Sequence, residues 1–215
     1  MRKRTGTGRG FTLIEMLAVI GIIVLLVTLV FPAIKDALTK AEVIKAQSAI
    51  SSLSTAFKAY YTEYGKWPIN DTTPPPAYNT YIIDANFVAL LQGANPNPLP
   101  NAKGYFTPTG NSTPVQTLGS ATMQGNPRGI HFLDFKAADL DALGNFVDPW
   151  KKPYYCRFDF TYTNSVVDPF SMPTTNLSAG FLVWSAGPDG QFDNKGDSIN
   201  GQVASPFNKD NVKSW

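Results

Sequence analysis

The sequence has few of the residues on which enzyme chemistry depends. Its 215 residues include one cysteine, Cys156, and one histidine, His131. A single cysteine excludes a disulfide within the chain, and the two residues together offer no Cys/His pattern for a zinc site. No Gly-x-x-x-x-Gly-Lys-Ser/Thr sequence is present, which excludes a nucleotide-binding P-loop. We therefore predict that the chain is not an enzyme.

Charged residues are also scarce, and their signs are unevenly placed. They make up 16% of the chain, against about 25% in an average protein. Four of the 18 basic residues and none of the 16 acidic ones lie in residues 1–10, so the net charge of +2 becomes −2 for residues 11–215. The basic excess belongs to this short segment, and we predict no nucleic-acid partner.

One long apolar run follows that basic segment. Within residues 11–31, only Thr12, Glu15, Gly21 and Thr28 are neither alanine nor large and apolar. As a helix, at about 1.5 Å per residue, the run is roughly 31 Å long and matches a bilayer core. No Ala-x-Ala-like cleavage site follows it, so we predict a retained transmembrane helix over 11–31. The positive-inside rule leaves the basic segment in the cytoplasm.

Glu15 is the unexpected residue in this run. An ionised glutamate in hydrocarbon costs on the order of 2.5–3.5 kcal/mol, so such residues are usually paired. An α-amino group produced by cleavage between Gly10 and Phe11 would lie about one turn away, in the same helix or in a neighbouring one. Alternatively, Glu15 lies at the headgroup level and needs no partner. The residues alone leave both interpretations open.

The junction between the basic segment and the apolar run reads Gly10-Phe11-Thr12-Leu13-Ile14-Glu15. With the flanking segments, it resembles the leader junction of type IV pilins and type II secretion pseudopilins. The resemblance implies that prepilin peptidase cleaves after Gly10 and methylates the new N-terminal Phe11. It also implies that Glu15 pairs with the amine of an adjacent subunit during assembly of a helical homopolymer.

The resemblance implies further partners and a location. Minor pseudopilins, an inner-membrane assembly platform and membrane lipid are the expected partners. The expected location is the bacterial inner membrane as a single-pass protein, with the leader cytoplasmic and the C-terminal domain periplasmic, before assembly into a periplasmic pseudopilus or a surface pilus. Because major pseudopilins generally lack the C-terminal disulfide of many type IV pilins, the lone cysteine favours a role in type II protein secretion.

Two alternative functions stay open. The first is a type IV pilin used for adhesion, motility or DNA uptake. The second, from another class, is a membrane-anchored calcium-dependent binding module. A filament subunit should fail to assemble without the Glu15 carboxylate, whereas an anchored module should tolerate its loss.

The predicted fold class is α+β and pilin-like, with a long N-terminal helix packed on a small antiparallel β-sheet of about three or four strands. The domains are a cleaved leader over 1–10, the transmembrane helix over 11–31, its amphipathic continuation over 32–65 and a globular domain over 66–215. Pro32 should bend the helix, which Gly65 and Pro68 end. Apolar residues recur at helical spacing in the continuation. They are Ile34, Leu38, Ala41, Ile44, Ile50, Leu53, Phe57, Tyr60 and Tyr64.

Within the globular domain, 154–162 and 181–185 are the clearest predicted strands, and Cys156 should be buried. Residues 70–129 are rich in Pro, Gly, Asn and Thr, with one short helix predicted over 86–92. The rest of that region is predicted to be loop, either a contact surface or variable packing. Residues 130–135 are predicted as a strand or an ordered loop.

The C-terminal region contains the predicted ligand site. Asp189, Asp193, Asp197 and Asp210 lie among glycines and beside Asn211, a composition that suits Ca²⁺, although a solvated acidic loop explains it as well. In major pseudopilins, which this region resembles, the C-terminal loop binds structural calcium. The resemblance implies Asp189 and Asp210 as ligands. Asn211 stands where an acid is more usual, and Asp193 and Asp197 lie in an insertion that could supply replacement ligands.

Overall fold

A computed structural model describes residues 11–70, 80–94, 105–107, 115–117, 122–170, 175–192 and 210–215. Contacts divide the chain into two compact units, Met1–Ala41 and Glu42–Trp215. The helices are α1 (Leu13–Tyr64) and α2 (Ala85–Leu91). The strands are β1 (Ile69–Asn70), β2 (Tyr81–Ile82), β3 (Tyr105–Thr107), β4 (Val115–Thr117), β5 (Thr122–Met123), β6 (Tyr154–Phe158), β7 (Val166–Val167), β8 (Asn176–Leu177), β9 (Phe181–Ser185) and β10 (Val212–Lys213).

The long N-terminal helix is confirmed, and it ends where the sequence predicts. Gly65, with φ of +66°, follows Tyr64 and donates its N–H to the carbonyl of Tyr61. A glycine reaches this left-handed conformation without the steric cost of a side chain. Pro32 is included in α1. In the second unit, one face of α1 is buried through residues at three- and four-residue spacing. They are Ala46, Ile50, Leu53, Phe57 and Tyr60.

The sheet that packs on this face has four strands in the order β10-β9-β6-β2, and all its pairs are antiparallel. In its centre, Tyr155 pairs with Trp184 and Cys156 with Val183. The predicted α+β class is therefore confirmed. Cys156 is buried as predicted, and burial raises the pKa of its thiol.

Both faces of the central strands are covered. Tyr154, Cys156 and Phe158 belong to the core shared with α1, and Phe57 of α1 packs edge-on against Phe158 with ring centroids 5.0 Å apart. On the opposite face, Tyr155 and Trp184 form a second apolar cluster with their neighbours from β7 and β9 and from the turns that follow these strands. Every residue of β6 is buried for this reason.

The predicted strand over 154–162 is too long, because β6 ends at Phe158. The carboxylate of Asp159 folds the chain back: it accepts hydrogen bonds from the N–H and hydroxyl of Thr161 and from the N–H of Ser165. Tyr162 and Asn164 have φ of +56° and +58°, which no strand residue adopts. Local hydrogen bonds to the Asp159 side chain thus replace the backbone hydrogen bonds that would extend the strand.

The middle of the chain has more structure than predicted. The short helix is α2, whose N-terminus is capped by the Asp84 carboxylate. The rest of 70–129 was predicted to be loop, which is wrong, since β2 joins the main sheet and β3 pairs with β4. Residues 130–135 form an ordered loop that is anchored by N–H groups of Phe132 and Leu133 donating to the Leu91 carbonyl.

Candidate functional site

Thr12 and Glu15 close the first turn of α1. The N–H and Oγ1 of Thr12 donate to Glu15 Oε2 at 2.9 and 2.8 Å, and the N–H of Glu15 donates back to Thr12 Oγ1 at 3.3 Å. This reciprocal pair is a capping box, which satisfies N–H groups that lack partners inside the helix. The carboxylate also lies at the positive end of the helix dipole. Together these interactions start α1 at Leu13.

The sequence predicted a role for Glu15 but none for Thr12. The role of Thr12 is predictable from sequence, because Thr-x-x-Glu ahead of an apolar run is the capping-box pattern. Phe11 lies just before the helix and is exposed. Gly10 and the rest of the predicted leader lie outside the described residues. The structure therefore places Glu15 in an N-terminal turn, with Thr12 as its hydrogen-bond partner.

The surface of α1 that follows Glu15 is apolar and exposed. Each large apolar side chain described between residues 11 and 31 is at least 48% exposed, the value of Val19. A continuous surface of this kind marks contact with protein or lipid. Among the described residues, no helix combines the length and hydropathy of a membrane span, so the predicted span over 11–31 is not confirmed.

At the other end of the chain, the structure brings Asp189 and Asp210 together. The N–H of Asp189 approaches Asp210 Oδ2 at 3.4 Å. Gly187 makes this approach sterically feasible: it has φ of +68°, and a Cβ added there would lie 2.5 Å from the Asp210 carbonyl oxygen. Pairing of Val212 with Ser185, between β10 and β9, sets this register.

The electrostatics of this turn favour a cation. The pKa of Asp189 is raised, chiefly by burial and further by the charge of Asp210. Asp210 Oδ1 is buried, and no described residue donates a hydrogen bond to it. A buried oxygen in this state is costly, and a metal ion would satisfy it. The two carboxylates supply part of the oxygen set that a hard cation such as calcium requires.

The structure describes one of the three remaining predicted ligands. Asn211 directly precedes β10, whereas Asp193 and Asp197 lie outside the described residues. Within the described parts of the chain, no group of three or more His, Cys, Asp or Glu residues could hold a metal. The structure thus brings together two of the five predicted ligands as an acidic pair.

A buried carboxylate that the sequence did not single out supports this turn. Asp148 accepts hydrogen bonds from Ser185 Oγ at 2.5 Å and from the N–H groups of Trp150 and Lys152 at 3.0 and 2.8 Å. Ser185 Oγ also accepts the N–H of Gly187 at 3.0 Å. The Asp148 side chain thus links the turn over 148–152 to the loop that carries Asp189.

Known proteins resemble this chain over part of its length. The type IV major pilin protein PilE1 of Neisseria gonorrhoeae is 33% identical over 107 residues, which are 50% of this chain and 55% of the relative. Another PilE1 protein of that species is 38% identical over 87 residues, or 40% of this chain and 53% of the relative. This chain is similar to type IV major pilins.

A third relative agrees with the first two. The fimbrial protein of Neisseria meningitidis serogroup A is 36% identical over 74 residues, which are 34% of this chain and 44% of the relative. The chain spans about half the length of these curated relatives. No family profile and no solved structure matches it. The similarity supports the predicted type IV pilin-like family, whereas the type II secretion pseudopilin subfamily is not confirmed.

Proposed function

We propose that the chain is a structural subunit of a helical filament of the type IV pilin kind. The observation that carries the proposal is the position of Glu15, in the first turn of α1 and directly ahead of an exposed apolar helix surface. Such a surface is unfavourable in water, so it is expected in membrane lipid before assembly and against α1 of neighbouring subunits afterwards. The role is mechanical and uses no catalytic group of this chain.

Processing prepares the subunit for assembly. Prepilin peptidase cleaves after Gly10 and methylates the amine of Phe11, while residues 11–31 hold the chain in the inner membrane with its body in the periplasm. Thr12 donates two hydrogen bonds to Glu15 Oε2. The amine of a neighbouring subunit can therefore use Oε1 or displace Thr12. Because an unpaired carboxylate in an apolar bundle is strongly unfavourable, this pairing fixes the axial register of the filament.

The filament is proposed to be a surface type IV pilus. The names of the similar proteins, type IV major pilin and fimbrial protein, support a surface pilus ahead of the type II secretion pseudopilus that the sequence favoured. A type II secretion pseudopilus is the second candidate, supported by the lone Cys156 and by the acidic pair at the C-terminal turn. Both forms need an assembly platform in the inner membrane, and minor subunits are expected in either.

Calcium is proposed as a structural ligand of this turn. Asp189 and Asp210 would supply carboxylate oxygens, and Asn211, Asp193 and Asp197 are the further candidate ligands. Bound calcium would supply positive charge between the carboxylates and so stabilise the loop that carries β10. The chain's own contribution is the tight turn at Gly187, which holds Asp210 against the end of β9.

Intact mass of the protein from bacterial membranes tests the proposal. The expected product starts at Phe11 and carries one added methyl group. A chain that still starts at Met1 or Arg2 would lack the amine that Glu15 needs and would contradict the proposed assembly. The anchored binding module would then be the better account.

A further inference from the structure

Two tyrosine rings lie next to each other at the surface of the second unit. Tyr61 of α1 is 36% exposed, and Tyr162, in the turn after β6, is 53% exposed. Their ring centroids are 6.2 Å apart, and the angle between the ring planes is 30°. We call these two similarly oriented rings the tyrosine platform.

Trp67 supports the tyrosine platform on its buried side. The indole ring is stacked on the ring of Tyr61 with centroids 4.4 Å apart, and its N–H donates to the carbonyl of Asp159 at 2.8 Å. A Cβ added at Gly180 would lie 2.8 Å from Trp67 Cζ2, so the indole packs closely on that glycine. Because Trp67 is held on both sides, the ring of Tyr61 is oriented before any ligand binds, which lowers the entropy cost of binding.

Tyr162 has a backbone conformation that favours glycine. Its φ is +56°, the left-handed region in which a Cβ is crowded by the backbone. The carboxylate of Asp159 holds this turn through hydrogen bonds from Thr161 and Ser165. More than half of Tyr162 is exposed, so burial of its ring does little to offset the strain. Strain that is kept at an exposed aromatic residue indicates a role in binding.

The polar groups in the segments around Tyr162 are uncharged. Residues 160–167 and 175–185 contain no Asp, Glu, Lys, Arg or His. Exposed hydroxyl and amide groups of these segments approach each other in two pairs, Thr161 with Thr163 at 2.9 Å and Asn164 with Ser178 at 3.0 Å. Such groups both donate and accept hydrogen bonds, as sugar hydroxyls do. The C–H face of a sugar ring is apolar and can pack on an aromatic ring.

We propose that the tyrosine platform binds a pyranose ring of a neutral saccharide. The sugar ring packs on Tyr61 and Tyr162, and its hydroxyls exchange hydrogen bonds with the uncharged side chains of the adjoining turn. The site uses residues of one chain only, so it does not depend on filament assembly or on calcium. In a filament of the proposed kind, the site would repeat along the surface, and several weak contacts would act together.

Saturation-transfer difference NMR tests the proposal on the full-length protein in lauryldimethylamine oxide, a detergent without a sugar headgroup. The neutral probes are lactose, maltotetraose and chitotetraose. Sialyllactose is the acidic comparison, because Lys58 is exposed one turn before Tyr61 on α1. The variants are Tyr162→Gly, Tyr162→Phe and Asn164→Gly. Asn164 has φ of +58° in the same turn, so both glycine substitutions relieve similar strain, but only Tyr162→Gly removes a ring.

We expect saturation transfer to the C–H protons of at least one neutral probe, with a dissociation constant of about 1 mM, because one sugar ring offers few atoms for contact. Tyr162→Gly should weaken this binding about tenfold, as loss of a central aromatic contact does. Asn164→Gly and Tyr162→Phe should bind as the unmodified protein does. Both glycine variants should unfold at similar temperatures, which would show that the loss of binding is not a loss of the fold.

Several results would overturn the inference. One is no transfer to any neutral probe, and another is equal binding by Tyr162→Gly and Asn164→Gly. Binding of sialyllactose alone would also contradict it, because recognition would then depend on charge. If no probe binds and Tyr162→Gly forms fewer filaments than Asn164→Gly, the tyrosine platform is a contact between copies of this chain and not a sugar site.

Discussion

Replacement of Asp148 tests whether the buried carboxylate joins the two loops at the C-terminal end of β9. Asp148→Ala removes an acceptor that serves Ser185 Oγ and the N–H groups of Trp150 and Lys152. Asp148 is 2% exposed; its hydrogen bond from Ser185 is buried, and those from Trp150 and Lys152 are partly buried. Asp148→Asn keeps the shape and one acceptor oxygen but removes the charge.

The magnitude follows from these three bonds. A hydrogen bond to a charged group contributes about 1.5–3 kcal/mol net. Removal of the carboxylate also removes the cost of taking its charge out of water, which offsets part of the lost stability. We expect Asp148→Ala to lower the free energy of unfolding by about 3 kcal/mol and Asp148→Asn by about 1 kcal/mol. For a chain of this size, the melting temperature should fall by roughly 6–12 °C and 2–4 °C, respectively.

The pH dependence gives an independent check. Burial raises the pKa of the Asp148 carboxyl in the folded protein above its usual 3.8. Protonation therefore favours the folded state, so this group stabilises the protein most below about pH 4 and that stabilisation is lost as pH rises through the folded pKa. Asp148→Asn has no such proton to lose, and its stability relative to the unmodified protein should improve as pH rises through that window.

The assay is thermal unfolding of the full-length protein in detergent, followed by tryptophan fluorescence, at several pH values. Asp134→Ala is the control, because the side chain of Asp134 is 91% exposed and its partner His131 is 3.6 Å away. The reasoning would be refuted if Asp148→Ala unfolded at the same temperature as Asp134→Ala. Equal melting temperatures for the Ala and Asn variants would refute the importance of the acceptor oxygen.

Two further outcomes follow from the geometry. Gly187→Ala should destabilise the protein more than Gly65→Ala. Both positions have φ near +67°, but a Cβ at Gly187 would lie 2.5 Å from the Asp210 carbonyl oxygen, whereas nothing lies within 4 Å of a Cβ at Gly65. The difference in melting temperature between the two variants therefore measures the effect of that contact. Cys156, fully buried with a raised thiol pKa, should react with a maleimide only after denaturation, and rapid labelling of the native protein, read by mass, would contradict its place in the core.

The sequence was most informative where a regular pattern repeats. Apolar residues at helical spacing predicted α1, alternation of apolar and polar residues predicted β6, and the apolar stretch 181–185 was predicted as the strand that is β9. These patterns are local, and the buried surface that they create is large. The end of β6 could not be read in the same way, because the Asp159 side chain competes with the sheet for the chain beyond Phe158.

The candidate sites differ in the same way: one depends on local sequence, and the others depend on contacts between residues that are distant in the chain. The capping role of Thr12 can be read from the local Thr-x-x-Glu pattern. By contrast, the meeting of Asp189 with Asp210 depends on the register between β9 and β10, which are separated by more than 25 residues. The bond from Ser185 to Asp148 depends on the pairing of β6 with β9. Long-range register of this kind is set by the whole core and leaves no signal in a short stretch of sequence.

Glu15 is proposed to be required for assembly of this chain into filaments, and filament assembly by a Glu15→Ala variant tests this requirement most directly. Filaments sheared from cells would be quantified and imaged by electron microscopy, beside an Asp36→Ala control that removes an exposed carboxylate from the same helix. We expect Glu15→Ala protein to accumulate in the membrane without filaments, while Asp36→Ala assembles normally. Filaments of Glu15→Ala in normal amounts would contradict the account.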